Sequence, residues 1–172
     1  NYVDGKMKVE YHDDKVVEAM PYDLLISGGD SEGVSTLRLW RARNATEFDM
    51  KSFSQGDYFT AMEENAKAEL ISKVLYPSDD HYEGKTLRLK QQYFLVCASM
   101  QNIINDHIKA YGDLHTLPDH VAIHINDTHP ALCIPELMRL LMDEHGLGWD
   151  ESWDIVTKIV AYTNHTVLVE AL

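Results

Sequence analysis

Two β-rich runs in this chain end abruptly in polar residues: Val121-Ala-Ile-His-Ile-Asn-Asp-Thr-His-Pro130 and Ala161-Tyr-Thr-Asn-His-Thr-Val-Leu168. Between them apolar positions recur at helical rather than strand spacing, so helices are expected there. Pro130 and Pro135 suit the approach and first turn of one helix. Asp150 is positioned to cap another over Glu151 to Lys158, with Trp153, Ile155 and Val156 facing inward, before a last strand from Ile159 to Tyr162. The order strand, helix, strand predicts an α/β fold with a doubly wound, mainly parallel sheet flanked by helices, in which Val121 to Ile125 is a central strand. Both polar clusters then lie at the carboxyl ends of parallel strands, where open α/β sheets bind ligands.

Upstream, Lys6 to His12 and Lys15 to Met20 alternate like paired strands, with Asp13-Asp14 as the turn between them, which predicts an amino-terminal β-hairpin. Ser27-Gly-Gly-Asp-Ser-Glu-Gly33 reads as a loop leading into a strand from Val34 to Ala42. It is not a phosphate-binding loop, because its glycine spacing is wrong, no Lys-Ser/Thr follows, and a carboxylate flanks Ser31 on each side. Tyr58 to Leu75 has helical composition but is polar, which suggests limited contact with its own domain; Pro77 follows its end. From Thr86 to about Lys109, Leu87, Leu89, Tyr93, Phe94, Val96, Cys97, Met100, Ile103, Ile104 and Ile108 predict a long, buried helix.

At 172 residues the length suits one domain, and 45% hydrophobic residues are enough for a core. A formal charge of −13 argues against nucleic acid as a partner and leaves a neutral polysaccharide unopposed. No run of about 18 apolar residues spans a bilayer, and no signal sequence is evident. Cys97 and Cys133 fall in apolar helical patterns and read as buried free thiols of a reducing cytoplasm. His124, Asp127 and His129 resemble a ligand set only superficially: His124 is inside a strand and its side chain should point away from loop ligands, so no metal is expected.

The polar clusters are similar, almost residue for residue, to the sugar-binding segments of the α-glucan (glycogen, starch and maltodextrin) phosphorylases. Met20-Pro-Tyr22, Thr36-Leu-Arg-Leu-Trp40, Val74-Leu-Tyr-Pro77, Glu83-Gly-Lys85, Leu87-Arg-Leu-Lys-Gln-Gln-Tyr-Phe94 and Ile134-Pro-Glu-Leu-Met138 follow that family in the same order, so the resemblance covers essentially the whole chain. Family members are several times longer. The resemblance therefore implies one partial domain over residues 1–172, the inner part of the amino-terminal half of a two-domain glycosyltransferase-like fold. Asn1 and the uncapped run Glu170-Ala-Leu172 agree with a fragment.

What the resemblance implies for chemistry is phosphate attack on a terminal α-1,4 bond, releasing glucose 1-phosphate with retained configuration. His165, in Thr163-Asn-His-Thr166, matches the histidine that hydrogen-bonds the glucose at the cleavage point. Asp127 matches the acid supporting that site and is expected to orient His165. Asn126, His129 and Asn164 are expected to line the same cleft. Pro77-Ser-Asp-Asp-His-Tyr-Glu-Gly84 matches a mobile gate in which Asp79 occupies the phosphate entrance, like charge excluding acid and phosphate from one place. Asp80 stands where many relatives have the Asn that contacts the glucose 2-hydroxyl, adding a charge near the phosphate.

The resemblance further implies pyridoxal 5′-phosphate as the cofactor of the full-length parent, on a lysine outside these residues, so the fragment alone is expected to be inactive. The Tyr58 to Leu75 helix corresponds to one that packs against its equivalent in a homodimer. Asn105 and Asp106 stand where animal enzymes carry an arginine pair for a nucleotide phosphate, and Arg38 alone is a weak clamp. A bacterial-type, cytoplasmic enzyme without nucleotide activation is expected. The alternatives are a non-catalytic glucan-binding module, which would bind without turnover, and a related two-domain glycosyltransferase, whose parent would lack the cofactor lysine.

Overall fold

The computed structural model describes residues 2–3, 6–7, 9–12, 15–30, 32–45 and 49–165. Short strands β1 (Tyr2–Val3) and β2 (Lys6–Met7) precede two long ones, β3 (Val17–Ser27) and β4 (Val34–Asn44). Helices α1 (Met50–Ser54), α2 (Tyr58–Lys73) and α3 (Tyr82–Tyr111) follow, then a 3-10 turn at Leu114–Thr116 and α4 (Leu117–His120). Strand β5 (Ile123–Asn126), α5 (Cys133–Arg139), a π-helical turn at Leu140–Glu144, α6 (Trp149–Ile159) and β6 (Val160–Thr163) complete the order. Contacts divide the chain into two compact units, residues 13–94 in one and residues 1–12 with 95–172 in the other.

In the first unit β3 and β4 form an antiparallel ribbon from Val17↔Asn44 to Ser27↔Val34. This corrects the expected hairpin: Val17 to Met20 pair with β4, and residues 9–12 are not strand. The expected turn at Asp13-Asp14 lies outside the described residues. The turn that closes the ribbon is the glycine-rich loop, where the Gly28 N–H donates to the Gly33 carbonyl at 3.4 Å. Pro21, opposite Trp40, is tolerated because both strands of a two-stranded ribbon are edges. Directly opposed charges add cross-strand pairs: Arg38 donates two hydrogen bonds of 2.6 Å to Asp23, and Arg43 pairs with Glu18.

Asp49 and Asp57 cap α1 and α2, accepting from the Ser52 and Thr60 N–H groups at 3.0 and 3.2 Å. Helix α2 packs on β4, where the Ala42 N–H donates to Ser72 Oγ at 2.9 Å. Ala61 and Ala68 alone of its residues are buried, in keeping with its polar sequence.

The second unit holds the core. Val96, Met100 and Ile104 of α3 pack with Leu114, Leu117, Ile125, Cys133, Leu137, Leu141, Ile155, Val156 and Ile159. Helix α3 starts earlier than the expected Thr86, at Tyr82, and is not buried throughout, since Leu89 and Tyr93 are exposed. Strands β5 and β6 pair in parallel with Ile123↔Val160 through Asn126↔Thr163. This is a mixed α/β fold with an antiparallel hairpin and a small parallel sheet flanked by helices; among the described residues β5 has one neighbour, so the central position expected of it is not observed. Both cysteines are free, and burial pushes the Cys133 thiol pKa up. No helix among the described residues is long and apolar enough to cross a membrane.

Two details of α6 differ from expectation. Gly148, not Asp150, is the cap: its N–H donates to the Glu151 carboxylate at 3.1 Å and its carbonyl accepts from Ser152 at 2.9 Å. The buried stripe is Ser152, Ile155, Val156 and Ile159, which leaves Trp153 exposed beside Trp149.

One ion pair anchors the α5 region. Glu136 is 3% exposed and accepts two hydrogen bonds of 2.8 Å from Arg139, which also donates to Glu144 and lies over the Tyr11 ring. Removing the cation takes two charged hydrogen bonds from a buried carboxylate. Arg139→Ala is therefore expected to lower unfolding free energy by about 3 kcal/mol, while Glu136→Leu with Arg139→Met recovers most of that loss. Urea titrations of the three proteins check it; equal stability of the single and double variants would contradict the burial argument.

Candidate functional site

Strand alternation sorts the side chains of β5: Ile125 enters the core, while His124 and Asn126 turn outward on the other face. Parallel register sets Thr163 opposite Asn126, and the two strands exchange side-chain contacts across the sheet. His124 Nε2 is 2.5 Å from Thr163 Oγ1, and His165 Nε2 is hydrogen-bonded to Asn126 Oδ1. Residues thirty-nine apart in sequence thus meet twice at the carboxyl end of the sheet.

Asp127 leaves the strand at φ 68°, in the left-handed region. Its N–H donates to the Thr163 carbonyl at 2.7 Å, so the kink is held by the neighbouring strand. Its Oδ1 accepts from the Thr128 N–H at 2.6 Å and from Thr128 Oγ1 at 3.3 Å. Those bonds, the backbone one foremost, hold its pKa below the usual carboxylate range, with smaller contributions from positive charge on His129 and His165. The hydrogen bond of the His165 ring goes to Asn126, whose Oδ1 accepts from Nε2. His129 and Asn164 are exposed on the same two loops. Thr166, the last member of the second motif, lies outside the described residues. No group of three or more His, Cys, Asp or Glu side chains among the described residues is arranged to hold a metal ion.

Asp79 and Asp80 belong to the other unit, in the stretch before α3. Arg88 donates to Asp79 at 2.5 Å and sets its guanidinium 5.9 Å from the centre of the Tyr76 ring. Asp80 accepts from Ser78 Oγ at 3.0 Å. The loop ends sooner than its motif, because α3 begins at Tyr82 and His81 Nδ1 accepts from the Gly84 N–H at 3.0 Å in the manner of a cap. Only glycine fits at 84, since a Cβ there would stand 1.8 Å from the Ser78 carbonyl oxygen. Two shallow hollows, of about 380 and 280 Å³, are lined by α2 and by residues around His107 and His120, and none of the site residues lines either.

The family model described as carbohydrate phosphorylase matches residues 1–172. This chain belongs to the carbohydrate phosphorylases. It is 47% identical to glycogen phosphorylase of Pasteurella multocida over 91% of this chain and 19% of that protein. It is 49% identical to the brain form of Rattus norvegicus over 93% of this chain and 20% of that one. With glycogen phosphorylase of Haemophilus influenzae it shares 44% identity over 99% of this chain and 21% of the relative. The chain therefore spans about a fifth of the length of the curated relatives it matches. Bacterial and mammalian members are about equally similar, so overall identity does not sort this phosphorylase between them.

Sequence reading missed Thr163 and Arg88. Thr163 takes part only through strand register, which the two motifs do not reveal separately. Arg88 could have been found from side-chain direction, since residues in the first turns of a helix lean toward its amino end and hence toward the loop before it. Arg38, the phosphorylase residue considered for a nucleotide phosphate, is paired with Asp23, and Asp106 accepts from Asn102 at 2.9 Å.

The left-handed Asp127 yields a test. Asp and Asn tolerate this conformation and glycine adopts it freely, whereas a Cβ without a polar partner costs about 1–2 kcal/mol. Asp127→Ala should be less stable than Asp127→Asn and Asp127→Gly by about 1 kcal/mol in denaturant titrations. Equal stabilities would show that the loop relaxes out of the left-handed region.

Proposed function

We propose that the full-length protein to which this chain belongs cleaves terminal α-1,4-glucosidic bonds with inorganic phosphate, giving α-D-glucose 1-phosphate, and that this segment forms one wall of the active site. The observation carrying the reading is the meeting of His165 and Asn126 at the carboxyl ends of two parallel strands in a carbohydrate phosphorylase. The names of the relatives, glycogen phosphorylases, point to the same chemistry.

Departure of the glucosyl group passes through an oxocarbenium-like state, which rewards a firm grip on sugar hydroxyls and no misplaced nucleophile. Asn126, His129, Asn164 and His165 supply neutral donors and acceptors suited to hydroxyls, with His165 bonding the glucose at the cleavage point. Asp127, the acid of the same motif, supports the site from the adjacent loop. Asp79 occupies the phosphate entrance of the closed gate, and Asp80 accepts from the glucose 2-hydroxyl. None of these side chains is a lysine that could form a Schiff base or an arginine that could hold a cofactor phosphate, so they do not make a seat for pyridoxal phosphate. That cofactor, which supplies the phosphate group for proton transfer in the family, is carried on a lysine elsewhere in the full-length parent, and the fragment alone is inactive. The parent is a cytoplasmic homodimer without nucleotide activation. Helix α2, polar and with Phe59 93% exposed, is its contact with the second subunit.

In the full-length parent, His165→Ala should lower turnover about a hundredfold, because a contact made mainly in the transition state is worth about 2–3 kcal/mol. Phosphorolysis assays check it, and unchanged turnover removes His165 from the site. Asp79→Asn should alter phosphate dependence more than glucan dependence, since the lost charge acts on an anion. Asp80→Asn keeps the acceptor and removes a charge, so phosphate affinity should improve modestly with turnover retained. Phosphate titrations at fixed glucan distinguish these; small, equal effects on both substrates would make residues 77–84 an ordinary surface turn.

A further inference from the structure

We infer that Asn126, rather than Asp127, is the positioning residue for His165, and that its amide oxygen sets the tautomer the imidazole presents to the sugar. The inference rests on the proposed role of His165 and deepens it, moving Asn126 from the glucan-facing set to the set that holds the catalytic ring.

Three observations carry it. His165 Nε2 is bonded to Asn126 Oδ1, and an amide oxygen only accepts, so Nε2 carries the proton of a neutral ring. Nδ1 is then the acceptor available for a hydroxyl, and it is the nitrogen on which the proton of a charged ring would sit. Next, the hydrogen bonds of Asp127 go elsewhere: its Oδ1 accepts from both the N–H and the hydroxyl of Thr128, whereas the ring's hydrogen bond goes to Asn126. Finally, the Asn126 side chain is fixed by pairing and not by chance of a loop. It is the last residue of β5, directly opposite Thr163, and the strand alternation that buries Ile125 fixes the face on which it stands. An orienting group needs that rigidity, because a tautomer is selected only if the acceptor stays in place.

The test uses the full-length parent, with kcat and KM for maltodextrin and phosphate measured for Asn126→Leu, Asn126→Asp, His165→Ala and the Leu/Ala double variant. Leu keeps volume and removes the acceptor; Asp keeps an acceptor. The expected result is a fall in kcat of about tenfold for Asn126→Leu with little change in either KM, since one hydrogen bond's worth of positioning is lost from the transition state alone. Asn126→Asp should retain kcat within about threefold. The double variant should be no slower than His165→Ala, because a residue acting through His165 has nothing left to position. If Asn126→Leu does not fold, as judged by its thermal midpoint, Asn126→Ala takes its place.

Full additivity of the two substitutions, or an effect of Asn126→Leu confined to glucan KM, would show that Asn126 holds the sugar itself and overturn the inference. A fall for Asn126→Asp as deep as that for Asn126→Leu would show that the amide nitrogen donates, which overturns it equally. An unimpaired His165→Ala variant would instead overturn the role of His165 and this inference with it, so the two failures are distinguishable.

Discussion

Parallel strands cannot be joined by a tight turn, so the chain leaving Asn126 must cross over through helices before Val160 can lie beside Ile123. That pairing is what brings the chemistry together. Its register decides which side chains face one another: Thr163 opposes Asn126, His124 reaches Thr163, and His165, two residues past the end of β6, returns to Asn126. A slip of one residue would reverse every side chain, sending Asn126 into the core and Ile125 into solvent. The register is protected by the apolar residues themselves, because Ile125, Ile155, Val156 and Ile159 are buried in one cluster. Site geometry is thus fixed by the same burial that stabilises the unit.

The left-handed turn at Asp127 follows from the same pairing. With its N–H held by the Thr163 carbonyl, the backbone has to turn sharply to leave the strand, and an acid at that position satisfies the next N–H with its own carboxylate. Both local bonds of that carboxylate fall on Oδ1. Asn126 and Asp127 are adjacent in sequence, yet the first accepts from His165 of the other motif and the second from Thr128 of its own loop. The difference comes from backbone angle and not from residue type.

The two runs Ile123–Asn126 and Val160–Thr163 were legible because β-branched residues stop where polar ones begin, and the helices α2, α3 and α6 were legible from apolar period and composition. Elsewhere local signals misled. The long ribbon was obscured by Pro21 inside β3, which ordinarily argues against a strand and is harmless only because the ribbon has two edges. The acidic pair after His12 looked like a turn, while the true partner of Val17 to Met20 lay beyond the glycine-rich loop. Gly148 displaced Asp150 as a cap because Glu151 reaches back to its N–H, a pairing visible only once the helix start is known. Within the site, residue types were readable from the two motifs. Their partners were not, since His124 with Thr163 and Asn126 with His165 depend on register across a crossover.

Magnitudes also bear on how the stretch around Asp79 is held. Its attachments include the Arg88 pair, with side chains 28% and 48% exposed, the guanidinium over Tyr76, the bond from Ser78 to Asp80, and the Gln91 amide, which donates to the Val74 carbonyl at 2.7 Å. A half-exposed ion pair contributes about 0.2–1 kcal/mol, and an exposed cation–π contact about 0.5–1 kcal/mol. Against these stands the left-handed Tyr76, at φ 53°, which costs of order 1 kcal/mol. The ion pair and the cation–π contact are thus of the size needed to offset that backbone cost. Gly84 ties the stretch to the first turn of α3, because the Ser78 carbonyl packs where any larger residue would need its Cβ.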